Sequence, residues 1–248
     1  MKKKLNKKIL LPLFLLSLSL CIFSLIQGTR AALIKSQDYE AQFEMYHIGI
    51  TLNENGEKVG QRDYKNGEWT TYTASLLEGR DTVRYGEVYP ETLSITNSGE
   101  IDEYVRLTVY KYWLDEKEAK RYDLDTSYIH LNFSKSENWI HDEKASTDER
   151  EIFYYKKPLS KGETTDDLLE SFYLDKDIKV TVEETSTVDK DGYTVIHLTY
   201  LYDGKTFCLD AEADAVQTHN AKDAILSAWG RSVTIDKEGN LALGKEGN

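Results

Sequence analysis

The chain has little of what would make it flexible, cross-linked or basic. Three prolines and fifteen glycines in 248 residues are too few for a low-complexity or Pro-rich segment. No stretch reads as a linker between domains, so one domain is expected. Of the two cysteines, Cys21 lies in the amino-terminal apolar run. That leaves Cys208 without an internal partner and excludes a disulfide framework. Cys208 sits in the alternating run TFCLDAEADAV and reads as a buried, inert thiol. Positive charge is also short. The formal charge is -12, and the first thirty-two residues hold six of the thirty-one Lys and Arg and no acid, which leaves -18 on the remainder. Such a surface repels phosphate backbones, so no nucleic-acid partner is expected.

Catalytic signatures are lacking as well. There is no H-E-x-x-H pair, no phosphate-binding glycine loop and no G-x-S-x-G elbow. No two of His47, His130, His141, His197 and His219 have the spacing that puts two metal ligands on one helix face. His141, in WIHDEK, has acidic neighbours and comes nearest to a ligand. The DKDG run at Asp189 starts like a calcium loop, but Tyr200 stands where the closing glutamate belongs, and a hairpin turn is the better reading. No catalytic residue, metal ligand or cofactor is therefore assigned, and the chain is read as a non-enzyme.

What is present begins at the amino terminus. MKKKLNKK is a basic leader, Ile9 to Ile26 is an apolar run, and GTRAA supplies small residues for processing. Thr29 and Ala31 suit the -3 and -1 positions, with Ala32 beside them. Residues 1–32 are thus expected to be a signal helix that is cleaved on export, and residues 33–248 a single secreted domain. Membrane contact is expected only through the uncleaved signal segment.

Past that point alternation outweighs helical periodicity. In DYEAQFEM, Tyr39, Ala41, Phe43 and Met45 share one face. The phase slips at YHIG, and Ile48, Ile50 and Leu52 carry the apolar face onward on even numbers. A one-residue slip flips every side chain, so a bulge or a hand-over between strands is expected there. Further strands are predicted at ETLSITN, EYVRLTVYKYW, YIHLNF, EIFYYK, DIKVTVEE, YTVIHLTYLY, TFCLDAEADAV and RSVTID, with a last short one in NLAL. Asp191-Gly192 and Asp203-Gly204 are two hairpin signals. Two short helices are expected, one in TTDDLLESF with a Thr cap and acids in its first turn, the other in THNAKDAILSAWG, capped by Asn220 and ended by Gly230. The fold class that follows is all-β: a jelly-roll-like β-sandwich with two short helical connections.

Three stretches, GTRAALIKSQDYEAQFEMYHIGITLNENG, YPETLSITNSGEIDEYVRLTVYKYW and VQTHNAKDAILSAWGRSVTI, together resemble the Gram-positive exported proteins processed by a SipW-type signal peptidase, the TasA and camelysin (CalY) biofilm-matrix family. The resemblance implies a jelly roll secreted as a subunit of the extracellular matrix or of a surface fibre. It implies two partners, a SipW-like signal peptidase and other matrix subunits, including copies of itself. It also implies assembly by donor-strand complementation, in which the strand freed by processing completes the sheet of the next subunit. The donor would run from about Leu33 to Met45, with Tyr39, Ala41, Phe43 and Met45 as the inserting face. A second reading is a secreted module that binds glycans or proteins through aromatic strands. A camelysin-like metallopeptidase is a third, for which no ligand set is found.

Overall fold

The computed structural model describes residues 47–65, 68–69, 73–78 and 82–244. The predicted signal helix, the processing residues Thr29, Ala31 and Ala32, and the donor face Tyr39, Ala41, Phe43 and Met45 lie outside the described residues. In chain order the strands are β1 (Ile48–Glu54), β2 (Glu57–Lys65), β3 (Glu68–Trp69), β4 (Ala74–Ser75), β5 (Tyr89–Pro90), β6 (Leu93–Asn97), β7 (Glu103–Leu114) and β8 (Lys120–Arg121). They continue with β9 (Ile129–Phe133), β10 (Trp139–His141), β11 (Arg150–Tyr155), β12 (Leu169–Leu174), β13 (Val182–Val188), β14 (Thr194–Tyr200) and β15 (Thr206–Gln217). Helix α1 (Ala221–Trp229) and the hairpin of β16 (Val233–Ile235) and β17 (Leu241–Leu243) close the series.

Two sheets face each other in a β-sandwich. The first has the order β10-β11-β7-β15-β4, with β8 on the end of β7. The second joins β3-β2-β1-β6 to β5-β12-β9. The junction is made by backbone bonds from residues 163–170 to the 91–97 stretch, among them Leu168 N–H to Leu93 O at 2.7 Å and Thr165 N–H to Ile95 O at 2.9 Å. The turn between β1 and β2 is Asn55-Gly56, both with positive φ (52° and 82°). That pair of left-handed residues is what a tight hairpin turn requires.

Alternation explains the core. Val105, Leu107 and Val109 of β7 are fully buried, as the sequence pattern predicts. Directly across the ladder from them stand Ala215, Ala213 and Ala211 of β15. Large side chains on one strand and small ones on the next leave room for Ile50 and Leu52 of β1, which belong to the same cluster. The opposite face of β7 and β15 is covered too. Tyr104, Val216 and Tyr154 join Ala221 and Ile225 of α1 and Val233 and Leu241 of the β16–β17 hairpin in a second cluster. Asp142 and Arg231 form a buried ion pair at 2.8 Å that ties this cover to the turn after β10.

Three expectations need correction. TTDDLLESF is not a helix: Leu169–Leu174 is strand β12, paired with β9 and β5. Its Leu168, Leu169, Phe172 and Leu174 are buried in the core, and that burial outweighs the local capping signal, so only one of the two predicted helical connections is an α-helix. DIKVTVEE is strand only in its second half, because Lys176–Val180 forms a 3-10 turn. Asp203-Gly204 is a turn but not a hairpin. β14 pairs with β13, while β15 pairs with β7 and β4. The predicted helix near the carboxyl end is present, and Gly230 ends it in a left-handed conformation. Asn220 precedes it without a side-chain capping bond, and of its expected apolar stripe Ile225 is buried while Ala228 is exposed.

Candidate functional site

Among the described residues the first sheet ends in a partly paired edge, whose side chains Ala211, Ala213 and Ala215 are buried. β15 pairs with β7 along all twelve of its residues, from Thr206 opposite Leu114 to Gln217 opposite Glu103. On its other side β4 covers only Asp210 and Ala211, and Leu76 N–H adds one bond to Leu209 O at 2.8 Å. Backbone groups alternate sides along a strand. Ala213, Ala215 and Gln217 therefore aim their N–H and C=O to the same side as Leu209. Among the described residues no strand pairs with them there. Arg62 Nη1, 3.4 Å from Ala213 O, is the polar neighbour on that side.

An apolar groove runs beside this edge. It has a volume of about 310 Å³ and is lined by Ile48, Tyr64, Ala215, Val216, Gln217, Ala224, Ser227 and Ala228. The start of β1, the end of β2, the end of β15 and one face of α1 thus converge on it. Ile48 stands three residues after Met45 in the sequence.

Charge frames the groove. Arg62 of β2 lies 3.1 Å from Glu212 and bonds Asp214. Arg106 of β7 reaches Asp214 Oδ2 through Nε at 3.1 Å, and its guanidinium sits 5.3 Å above the Trp229 ring. Two arginines on one aspartate at the edge of an apolar groove fix the strand spacing and keep the charges paired.

Beneath the start of β1 lies a buried carboxyl. Glu103 is fully enclosed, and its Oε1 accepts from Gly49 N–H at 2.9 Å. Burial pushes its pKa up to about 8, with the charge of Asp63 adding to the rise. The Gly49 N–H pulls the other way but does not offset burial. Gly99 makes this arrangement possible. A Cβ on Gly99 would come within 2.3 Å of Glu103 Oε1 and 2.6 Å of His47 O.

Among the described residues the remaining polar groups form pairs rather than a catalytic constellation. His47 faces Asp63 at 3.3 Å, His130 faces Asp175 at 3.3 Å, and His141 faces Glu151 at 2.8 Å. His141 comes closest to a triad, since Ser146 Oγ is 3.2 Å away. Serine and glutamate both meet Nε2, however, whereas a relay needs one on each ring nitrogen. Ser146 Oγ also accepts from Ile152 N–H at 3.0 Å. Among the described residues no three His, Cys, Asp or Glu side chains could share a metal ion. Cys208 is half-buried, and burial pushes its thiol pKa up, away from the reactive thiolate. Asp189 Oδ1 accepts from Asp191 N–H and Tyr193 N–H, both at 2.9 Å, so the DKDG run is the hairpin turn that the sequence predicts.

No family model, no curated protein and no solved structure matches this chain. Sequence reasoning predicted a donor face at Tyr39, Ala41, Phe43 and Met45, which lies outside the described residues, and did not single out the partly paired side of β15 or Glu103. The alanine run in DAEADAV, small residues on every inward position, was the available signal for a closely approached strand. Glu103 opens the predicted strand EYVRLTVYKYW as a charged residue, and only the folded backbone shows it enclosed.

Proposed function

We propose that this chain is a non-enzymatic subunit of an extracellular matrix or surface fibre, a jelly roll that assembles by strand addition. A SipW-like signal peptidase would free the amino terminus near Thr29, Ala31 and Ala32. The strand with Tyr39, Ala41, Phe43 and Met45 would then pair with the β15 edge of another copy or a related subunit. The observation that carries this reading is the run Ala213 to Gln217, an edge with outward backbone groups beside an apolar groove. Added strands gain backbone hydrogen bonds along such an edge, and side chains on alternate positions fill the groove and set the register. Strand edges left unpaired are templates for pairing with another chain.

Electron microscopy tests it. Protein starting at Leu33 is expected to form filaments, and deletion of Leu33 to Met45 is expected to abolish them. Gln217→Pro removes one outward N–H while leaving the β7 ladder in place, and should cut filament yield several-fold with the circular-dichroism spectrum unchanged. Filaments that survive both changes would sink the proposal.

A further inference from the structure

Strands β13 and β14 form a ribbon unlike the rest of the molecule. They pair in register from Val182 opposite Tyr200 to Val188 opposite Thr194. All fourteen of their residues are exposed. The ribbon is nonetheless amphipathic. Residues directly opposite each other share a face, so Val182, Val188, Ile196, Leu198 and Tyr200 lie on one side, with Glu184, Ser186 and Thr194 among them. The other side holds polar residues such as Glu183, Thr185 and His197, and Thr187 Oγ1 lies 3.0 Å from His197 Nε2 there. On the apolar side, exposure ranges from 38% at Val182 to 71% at Val188. A lone two-stranded hairpin is marginal in water, and a period-two apolar face is a pattern for burial.

We infer that this face docks against the same face of a second copy, antiparallel, about a twofold axis. The pattern of the face is what selects that occupant. When one ribbon lies over another with its tip over the partner's root, each strand meets its own copy reversed about Thr185 in β13 and His197 in β14. Val182 then meets Val188, Leu198 meets Ile196, and Glu184 meets the hydroxyl of Ser186. Turned the other way, tip over tip, Glu184 is buried against Leu198 and Ser186 against Ile196, which leaves a carboxylate without a polar partner. Charged groups stand at both ends. The tip, Asp189-Lys190-Asp191, carries one excess negative charge. The root opens into a cavity of about 380 Å³ lined by Lys179, Lys205 and Asp203, and Lys205 there also faces Asp115 and Asp123. Lys179 Nζ sits 5.4 Å above the Tyr85 ring there. Tip over root sets the acidic end of one copy on the lysines of the other. An isologous contact of this kind is self-limiting at two copies.

The contact is small. Seven residue pairs span about 20 Å, well short of the roughly 800 Å² per partner of a stable complex. It is a weak contact that forms at high protein concentration, with or without fibres. It uses no residue of the β15 edge and stands or falls apart from strand addition.

Disulfide trapping in the full chain tests it, in a Cys21→Ser, Cys208→Ser background with two tagged forms. Val188→Cys in one form and Val182→Cys in the other are expected to give a mixed dimer at least five-fold above the Val188→Cys homodimer. Lys205→Glu should lower that yield several-fold, and Asp191→Lys in the other form should restore it. Deleting Leu33 to Met45 should remove filaments and leave the cross-link. Equal yields of mixed dimer and homodimer would overturn the antiparallel docking. So would an equal yield from Thr187→Cys on the polar face, indifference to Lys205→Glu, or loss of the cross-link with the deletion.

Discussion

The β7–β15 pair and the β13–β14 pair are both in-register antiparallel ribbons. One is covered on both faces by the two core clusters, while every residue of the other is exposed. Backbone pairing is the same in kind. What differs is apolar area withdrawn from water, at about 25 cal/mol per Å², against a net gain of only about 1 kcal/mol per hydrogen bond. Pairing therefore shapes a ribbon, and coverage stabilises it. An uncovered ribbon with an apolar face leaves that area in water.

The largest effect should come from cutting coverage where it is complete. Leu107 is fully buried between the sheets. Leu107→Ala is expected to cost about 2–5 kcal/mol, since it removes buried methyl groups and leaves a cavity. Urea unfolding would read this as a fall in midpoint with little change in slope. A cost under about 1 kcal/mol would mean that β7 is not the centre of the core.

How much of this contrast was legible beforehand differs by element. The β7 and β15 strands could be read from their alternation, because burial on a sheet face imposes period two. The β13–β14 hairpin could be read from Asp191-Gly192 for the same local reason. Its lack of cover could not, since an apolar face has the same pattern whether its partner is in the same chain or another. TTDDLLESF misled because its cap signal is local and its strand pairing with β9 and β5 is long-range. That the described strands pair only two residues on this side of β15 is invisible in sequence, as it depends on β4 being two residues long. Asp203-Gly204 misled because a turn signal names no partner strands.

The next effect sharpens the comparison through pH. Glu103 starts β7 opposite Gln217, and burial raises its pKa from an ordinary 4.5 to about 8. Between those values the folded protein keeps a proton that the unfolded chain has released. Stability from this group is thus complete below about pH 4.5, falls as pH rises, and levels off above about 8. The slope is at most about 1.4 kcal/mol per pH unit. Glu103→Gln can still accept from Gly49 N–H and cannot ionise. It should flatten the slope and stabilise the protein at pH 8 by on the order of 1–3 kcal/mol relative to wild type, taking the difference at pH 5 as the baseline. Parallel pH profiles of unfolding for the two proteins would show that the carboxyl is solvated.

The smallest effect falls on the exposed ribbon. Leu198 is 54% exposed, and Leu198→Ala in dilute solution should change stability by no more than about 0.5 kcal/mol, as for surface positions away from special features. Amide hydrogen exchange gives the local counterpart. The β13–β14 amides should open with a far smaller free energy than those of β7, because few apolar contacts resist their opening. Protection of the ribbon that rises with protein concentration, while that of β7 stays constant, is the behaviour expected of a face covered by a second copy. Leu198→Ala should then remove the concentration dependence without touching β7. A cost above about 1.5 kcal/mol in dilute solution would instead mean that this face is already covered within its own chain, and the contrast between the two ribbons would disappear with it.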